Sequence, residues 1–154
     1  MLKLIGPDSR IELGVVGYEF AAVTGNGWDS EWLKISGRAE TPRGRWRFLD
    51  PCLTTFEMKA LASWLRDLPA GGPNRELTFT EPNLRFERVD ESAGEFLYVW
   101  LSQEASPPWA TEAERFGGGQ ALRIPFASID FVTAAQAVED LCEEYPERAH
   151  RSDG

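Results

Sequence analysis

The segment RWRFLDPCLTTFEMKALASWLRDLP, residues 45–69, decides the fold because its hydrophobic period changes half-way along. Its first residues alternate, with Trp46 and Phe48 on the same side, which is typical of a strand with one buried face. From position 56 onward the apolar residues recur every three or four positions, as on one side of a helix. The segment therefore predicts a strand that leads directly into a helix, and Pro69 marks the end of that helix.

A capping box marks the start of this helix. Thr54 and Glu57 stand three positions apart, so that the hydroxyl and the carboxylate can each accept a hydrogen bond from a free backbone N–H group. Leu53 and Met58 have the spacing of a hydrophobic staple across the first turn. We expect the helix to bury the stripe Phe56, Ala60, Leu61, Trp64, Leu65 and Leu68.

Alternating segments on both sides of the helix predict strands. Those that precede it are residues 10–20, 32–39 and 45–49, and those that follow are 77–80, 84–89, 96–101 and 120–126. A change of phase at Gly17 indicates a β-bulge in the first segment, and the next two segments form a hairpin. Residues 96–101 are apolar on both faces, which predicts a central strand that is covered on both sides.

A second helix is predicted near the C-terminus. Thr133 and Gln136 repeat the spacing of a capping box, and Pro146 ends the apolar run. The buried stripe of this helix is expected to comprise Val138, Leu141, Cys142 and Tyr145. Residues 105–119 contain consecutive prolines and a triple glycine, and we expect them to form an irregular loop.

The order strands, helix, strands, helix predicts an α+β fold. We expect a mostly antiparallel β-sheet of about seven to eight strands, with two amphipathic α-helices packed on it. A chain of 154 residues suits one compact domain, which we place at residues 1–146. Residues 147–154 are polar, and we expect them to form a disordered tail.

The charge of the chain argues against nucleic acid as a partner. It has 16 basic and 25 acidic side chains and a formal net charge of -9. Nucleic-acid affinity comes mainly from Lys and Arg side chains that neutralise phosphates, so an acidic chain is poorly suited to it. Residues 1–7 hold too few consecutive apolar residues for a signal peptide or a membrane helix. We therefore expect a cytoplasmic protein without membrane contact.

Residues that commonly carry chemistry are scarce. The chain has two cysteines, Cys52 and Cys142, and one histidine, His150, in the polar tail. A structural zinc site takes about four such ligands, and a nucleophile–histidine pair would depend on the tail, so we expect neither. The glycines at 117–119 precede a strand, which argues against a phosphate-binding loop. Glu95 is the best single carboxylate candidate, and we interpret it as a solvated loop residue. The sequence predicts no catalytic residue, cofactor or metal.

Acidic residues are concentrated near the C-terminus, where residues 128–154 contain seven acids and two arginines. Four of the acids, Glu139, Asp140, Glu143 and Glu144, fall in the last half of the second predicted helix. Acids at that end oppose the helix dipole, so stability gives little reason for their position. Two interpretations stay open: a solvated face that confers solubility, or a surface that binds a positively charged partner.

Basic residues crowd the outward face of the predicted hairpin: Lys34, Arg38, Arg43, Arg45 and Arg47. Without a helix or interleaved exposed aromatics they form a weak nucleic-acid pattern. We expect them to pair with nearby acids such as Glu12 and Glu40, or with acids of a partner.

The tryptophans divide into two groups. Trp46, Trp64 and Trp100 lie on periodic faces, and we expect them in the core. Trp28 and Trp109 lie in predicted loops, where a tryptophan either anchors an interface or packs back on its own domain.

Five short motifs occur in order along most of residues 1–146. They are Gly17-Tyr18-Glu19-Phe20, Trp28-Asp-Ser-Glu-Trp-Leu33, Trp46-Arg-Phe-Leu-Asp-Pro-Cys-Leu-Thr54, Phe79-Thr-Glu-Pro-Asn-Leu-Arg-Phe86 and Leu122-Arg-Ile-Pro-Phe126. In these motifs the sequence resembles the WapI-like immunity proteins of bacterial toxin–immunity systems. The resemblance implies a cytoplasmic, non-enzymatic protein that neutralises a cognate toxin by direct protein–protein contact.

Many toxins of such systems are nucleases and therefore basic, and an acidic inhibitor gains association rate from electrostatic steering. We expect a toxin-facing surface that includes Asp29, Glu31, Trp109, Glu139, Asp140, Glu143 and Glu144. Two other functions stay open. One is an enzyme or small-ligand-binding protein with a carboxylate-based site between sheet and helices. The other is a self-associating module, and the sequence leaves the oligomeric state open.

Overall fold

A computed structural model describes residues 1–22 and 28–148, without the side chain of Trp28. Within these residues eight strands form two antiparallel sheets, and three α-helices pack with them. The predicted α+β class is therefore confirmed. The predicted polar tail lies mostly outside the described residues, as does His150.

The strands are divided between two sheets of four, in sequential order. Sheet A contains β1 (Leu2–Ile5), β2 (Arg10–Tyr18), β3 (Trp32–Thr41) and β4 (Gly44–Thr54). Sheet B contains β5 (Glu76–Leu77), β6 (Leu84–Glu91), β7 (Gly94–Leu101) and β8 (Gln120–Pro125). The first helix separates the two sets along the chain, so each set closes its own meander. The predicted bulge is confirmed by a register shift between Val15 and Gly17.

The first helix, α1 (Thr55–Asp67), starts as predicted. Thr54 Oγ1 accepts a hydrogen bond from the backbone N–H of Glu57 at 3.2 Å, and the Glu57 carboxylate accepts one from the N–H of Thr54 at 3.0 Å. The buried stripe differs from the expected one because Met58 and Ala62 are buried, whereas Ala60 is exposed. The helix contacts sheet A, sheet B and the C-terminal helix together, so its buried stripe is wider than one face.

The second helix, α2 (Glu112–Phe116), lies inside the segment expected to be an irregular loop. That expectation is wrong because Thr111 and Glu114 form a further capping box. Thr111 Oγ1 accepts from the backbone N–H of Glu114 at 3.1 Å, and Glu114 accepts from the N–H of Thr111. Hydrogen bonds from Gln120 and Thr111 hold the pKa of Glu114 below its ordinary value.

The third helix, α3 (Phe131–Glu144), starts at Asp130 and not at Thr133 as expected. The Asp130 carboxylate accepts hydrogen bonds from the backbone N–H and the hydroxyl of Thr133, at 3.1 and 2.8 Å, which lower its pKa. Phe131 is buried with its ring centroid 4.6 Å from that of Phe126. This packing starts the helix three residues earlier than the sequence pattern suggested.

One apolar core joins both sheets with α1 and α3. The two helices pack on each other and on the inner face of sheet A, while Trp64 of α1 contacts Phe86 of β6 with ring centroids 6.2 Å apart. Close packing also explains Gly37 in the middle of β3. A Cβ atom there would stand 2.1 Å from the ring of Phe48, so no larger residue fits.

Strand β7 is an inner strand of its sheet, as predicted, but only one of its faces meets the core. Leu97, Val99 and Leu101 are fully buried, whereas Tyr98 and Trp100 on the other face are half-buried. Side chains of the neighbouring strands cover that outer face. Strand β7 is thus covered on both sides as predicted, on the outer face by surface side chains such as Arg123 over the buried Phe96, but the expectation that Trp100 lies in the core is wrong. Trp46 and Trp64 are buried as expected.

Candidate interaction surfaces

The structure does not bring the seven predicted contact residues together on one surface. Some lie around the C-terminal half of α3, one lies in the interior, and one lies near the tip of the β3–β4 hairpin. Each location follows from contacts between residues that are distant in sequence.

Glu31 is fully buried and is not part of an accessible surface, so this prediction is corrected. Its carboxylate accepts a hydrogen bond from the hydroxyl of Thr55 at 2.6 Å, and its two oxygens share the backbone N–H of Arg148, each at 3.0 Å. Hydrogen bonds from a backbone N–H and a hydroxyl replace those that the carboxylate loses to water when it is buried. Glu31 therefore holds the segment after α3 against the start of α1.

Trp109 packs back on its own domain. Its ring meets Trp46 edge-on at 5.3 Å between centroids, and the guanidinium of Arg43 lies 5.8 Å from its centroid. A Cβ atom on Gly44 would stand 3.0 Å from the same ring, so the hairpin tip needs glycine there. Trp109 is half-buried in this position.

The position of Trp109 is far from the end of α3. Trp46 pairs with Ala39 near the hairpin tip, whereas Leu53 pairs with Leu33 at the opposite end of sheet A. The strand from Trp46 to Leu53 spans roughly 23 Å. The C-terminal end of α3 lies near Leu53, because Tyr145 contacts Tyr18 and Tyr18 pairs with Leu33. Trp109 and the acids of α3 are therefore about 20 Å apart.

Three of the four predicted acids of α3 are exposed and free of cations. Glu139 forms a two-point ion pair with Arg66 of α1, at 2.8 and 2.9 Å. Asp140, Glu143 and Glu144 form no ion pair with any residue that the structure describes, and Asp140 accepts only from the Gln136 amide at 2.9 Å. We call these three residues the acidic face. Asp29 is also exposed, in the short 3-10 turn Trp28–Glu31 to which Arg148 is bonded through Glu31.

The outer face of sheet A carries the opposite charge. Its exposed or half-buried charged residues are Lys3, Arg10, Glu12, Lys34, Arg38, Glu40, Arg45 and Arg47, and we call this set the basic face. All of them except Lys3 and Lys34 line an open basin of about 360 Å³. The predicted pairing with Glu12 and Glu40 is not found, because Glu12 is bonded to Arg10 at 2.7 Å. Lys34, Arg38, Arg45 and Arg47 have no ion-pair partner within residues 1–22 and 28–148.

One pair of carboxylates is bridged by an amide between the two sheets. The buried Asn83 donates from Nδ2 to Asp50 at 3.1 Å and to Glu104 at 3.2 Å. Partial burial and the nearby charge of Glu104 raise the pKa of Asp50. Glu95, the candidate carboxylate of the sequence, is instead bonded to Arg88 at 2.7 Å.

The family model described as Immunity protein WapI-like family matches residues 3–146. The chain belongs to this family. The match includes both sheets and all three helices described above. A comparison with curated proteins finds no match. The immunity family indicates a toxin-neutralising role for its members.

The part of this WapI-like chain that the structure describes shows little provision for bound chemistry. It contains no group of three or more residues that could hold a metal ion. Cys52 and Cys142 are both free thiols, and burial raises the pKa of each. Thiols of this kind are poor nucleophiles, because the thiolate is the reactive form.

The interior between sheet A and the helices is closed. The apolar space lined by Leu2, Leu13, Ile35, Met58, Val138 and their neighbours measures about 10 Å³, room for no more than one water. A small-molecule site at this position would need several hundred Å³. Among the described helices of this family member, none is long and apolar enough to span a bilayer.

Proposed function

We propose that this WapI-like protein neutralises a cognate toxin by binding it directly, without chemistry of its own. The acidic face of α3, together with Asp29, is the proposed centre of the contact. The observation that carries this proposal is the set of exposed, unpaired acids Asp140, Glu143 and Glu144 at a helix end where they oppose the dipole. The proposed compartment is the cytoplasm, as the family resemblance implies.

The acids of this face form no ion pair in the described part of the chain, although Asp140 and Glu144 are hydrogen-bonded to the neutral side chains of Gln136 and Tyr145. Glu139 and Glu147 show the contrast, because each is bonded to a base of α1, Arg66 and Lys59 respectively. Glu139 and Glu147 are thus neutralised by their own molecule, whereas Asp140, Glu143 and Glu144 have no basic partner among the described residues. A basic partner would supply the missing charge and would associate faster because of it.

The partner proposed from this charge is a basic toxin domain. Two predicted contact residues besides Glu31 are left out of the proposed contact. Glu139 is already paired with Arg66, and Trp109 lies at the other end of sheet A.

A titration tests the proposed mode of action. The purified chain is added in steps to the toxin encoded beside its own gene, and the remaining toxin activity and the size of the complex are measured. Direct binding predicts that activity vanishes at one chain per toxin and that the two proteins elute together. Loss of activity at a small fraction of one equivalent would show turnover, and therefore an enzyme. No loss of activity at excess chain would contradict the toxin-neutralising role for that toxin.

A further inference from the structure

The basic face of sheet A is a positively charged surface on a protein whose net charge is negative. Its six bases and two acids give a formal charge of +4, while the whole chain carries -9. In the sheet register Arg38 lies between Arg47 of β4 and Glu12 of β2, and Arg45 lies opposite Glu40. The two acids are outnumbered, and Arg38, Arg45 and Arg47 form no ion pair with any residue that the structure describes. The surplus of positive charge on this surface favours an acidic occupant.

The acidic face of α3 matches the arginines in number and spacing. Asp140, Glu143 and Glu144 stand at i, i+3 and i+4, so Asp140 lies roughly 5–6 Å from each of the other two, which are neighbours in sequence. Arg38, Arg45 and Arg47 form a triangle. Two of its members lie opposite each other at about 5 Å, and two lie on one strand about 7 Å apart. Three carboxylates thus meet three guanidinium groups at compatible distances.

Exposed apolar residues continue this match beyond the charges. Leu49 follows Arg47 on the outward side of β4 and is 60 % exposed, and Met1 of the same sheet face is 57 % exposed. On α3, Val132 is 68 % exposed and lies two helical turns before Asp140, on the same side as Gln136. Each surface therefore has charges at one end and an exposed apolar residue at the other.

The two surfaces cannot meet within one molecule. Helix α3 packs on the inner face of sheet A, where Val138 and Leu141 line the same space as Leu2 and Ile35. The acidic face points away from the sheet on that side, and the basic face lies on the other side. Contact between two basic faces is also unfavourable, because both carry positive charge.

We infer that the basic face is a docking site for a second copy of this chain, which inserts the acidic face of its α3. The contact is heterologous, so it joins copies head to tail. The contact involves one helix of 14 residues and one sheet face, which favours a small interface and a weak association. If the acidic face also binds the toxin, as proposed above, toxin and second copy compete for it.

Protein carboxylates fit this face better than phosphates do. The face holds two acids of its own, Glu12 and Glu40, and it lacks exposed aromatic side chains among the described residues, so bases have no platform on which to stack. The net charge of -9 also repels a nucleic-acid backbone at long range.

Sedimentation velocity of the purified chain tests this inference, at about 10–500 μM protein and about 0.1 M salt. The wild type is expected to sediment faster as its concentration rises. Two variants, Arg38→Gln/Arg45→Gln/Arg47→Gln and Asp140→Asn/Glu143→Gln/Glu144→Gln, are each expected to stay monomeric. Mixed together they are expected to form a dimer and no larger species, because each retains the one face that the other has lost.

A matched control distinguishes the effect of these particular acids from the effect of the overall net charge. The variant Asp8→Asn/Glu81→Gln/Glu112→Gln removes three exposed acids elsewhere and is expected to associate like the wild type. Far-ultraviolet circular dichroism checks that each variant is folded. A wild type that stays monomeric over the whole concentration range overturns the inference, as does association of either face variant alone. Arginine-dependent binding of poly-glutamate or an oligonucleotide by a monomeric wild type would assign the face to another acidic partner.

Discussion

The outer faces of the two sheets have the same architecture and opposite chemistry. On sheet B the bases are engaged: Arg85 lies 4.7 Å from the ring centroid of Trp100, and Arg123 lies 3.6 Å from that of Phe96. Their charges are matched too, by Glu87 at 3.0 Å and Glu91 at 2.7 Å. On sheet A the guanidinium groups of Arg38, Arg45 and Arg47 contact no acid within the described residues.

This difference separates a face whose arginines are paired within the fold from a face whose arginines have no acidic partner among the described residues. Aromatic rings under guanidinium groups are shielded from water by the molecule's own side chains. Arg38, Arg45, Arg47 and Leu49 on sheet A have no comparable contact with an aromatic ring or an acid among the described residues. Secondary structure alone does not distinguish the two faces, whereas the pairing of their side chains does.

Removal of an apolar side chain from each face should give the largest difference in the free energy of unfolding. Phe96 is 6 % exposed beneath Arg123, and Leu49 is 60 % exposed. We expect Phe96→Ala to lower the free energy of unfolding by roughly 2–4 kcal/mol, and Leu49→Ala to change it by less than about 0.5 kcal/mol. Urea denaturation of both variants measures the difference. Equal losses would show that the two faces do not differ as described.

Loss of a hydroxyl group gives a smaller contrast. The hydroxyl of Tyr98 donates to Glu91 at 2.6 Å, while the hydroxyl of Ser36 on sheet A has no hydrogen-bond partner in the described part of the chain. Tyr98→Phe is expected to lower the free energy of unfolding by about 1 kcal/mol, and Ser36→Ala to leave it within about 0.5 kcal/mol. The same denaturation experiment applies, and an unaffected Tyr98→Phe variant would contradict the network on sheet B.

Replacement of an arginine should lower stability on sheet B and have little effect on sheet A. Arg123→Gln removes the two-point contact with Glu91 and uncovers Phe96, so we expect a loss of stability. Arg38 lies between the like charge of Arg47 and the opposite charge of Glu12, so we expect Arg38→Gln to leave the free energy of unfolding within about 0.5 kcal/mol. Thermal unfolding in low salt measures each change. A larger loss in Arg38→Gln would mean that this side chain has a structural partner.

The contribution of Glu91 should depend on pH. Hydrogen bonds from Arg123 and Tyr98 hold its pKa below the ordinary value of 4.5. A carboxyl with a depressed pKa in the folded state stabilises the protein above its unfolded pKa and loses that contribution as the pH falls. The wild type should therefore exceed Glu91→Gln in stability at pH 7, and the two should converge as the pH falls below 4.5. A constant gap down to acid pH would contradict the assigned cause.

Local features of the fold could be predicted from the sequence. The capping box at Thr54, the alternation of β3 and β4 and the bulge near Gly17 depend on residues close to one another. The start of α3 shows the limit, because the segments at Asp130 and Thr133 both match a cap, and only the packing of Phe131 on Phe126 decides between them. The capping box of α2 at Thr111 is also local, but the prolines and glycines on either side of it are typical of a loop.

The candidate site was less predictable because long-range contacts decide its membership. Glu31 and Asp29 look alike in the sequence, yet Thr55 and Arg148, which lie far away along the chain, bury Glu31. The strands divide into two sheets at α1. The alternating pattern of the strands does not show whether they continue one sheet or start another. The exposure of Asp140, Glu143 and Glu144 agrees with both interpretations of these acids, a solvated face and a binding surface. Glu139 differs from them because Arg66 of another helix pairs with it.

The most direct test of the central claim is the affinity of the chain for its toxin, measured by calorimetry at about 0.05 and 0.2 M salt. Wild type, the acidic-face variant Asp140→Asn/Glu143→Gln/Glu144→Gln and the control Asp8→Asn/Glu81→Gln/Glu112→Gln are compared. We predict that the acidic-face variant binds at least about tenfold more weakly and with a smaller salt dependence, while the control stays within about threefold of the wild type. Equal affinity and equal salt dependence for all three proteins would contradict the claim that these acids face the toxin.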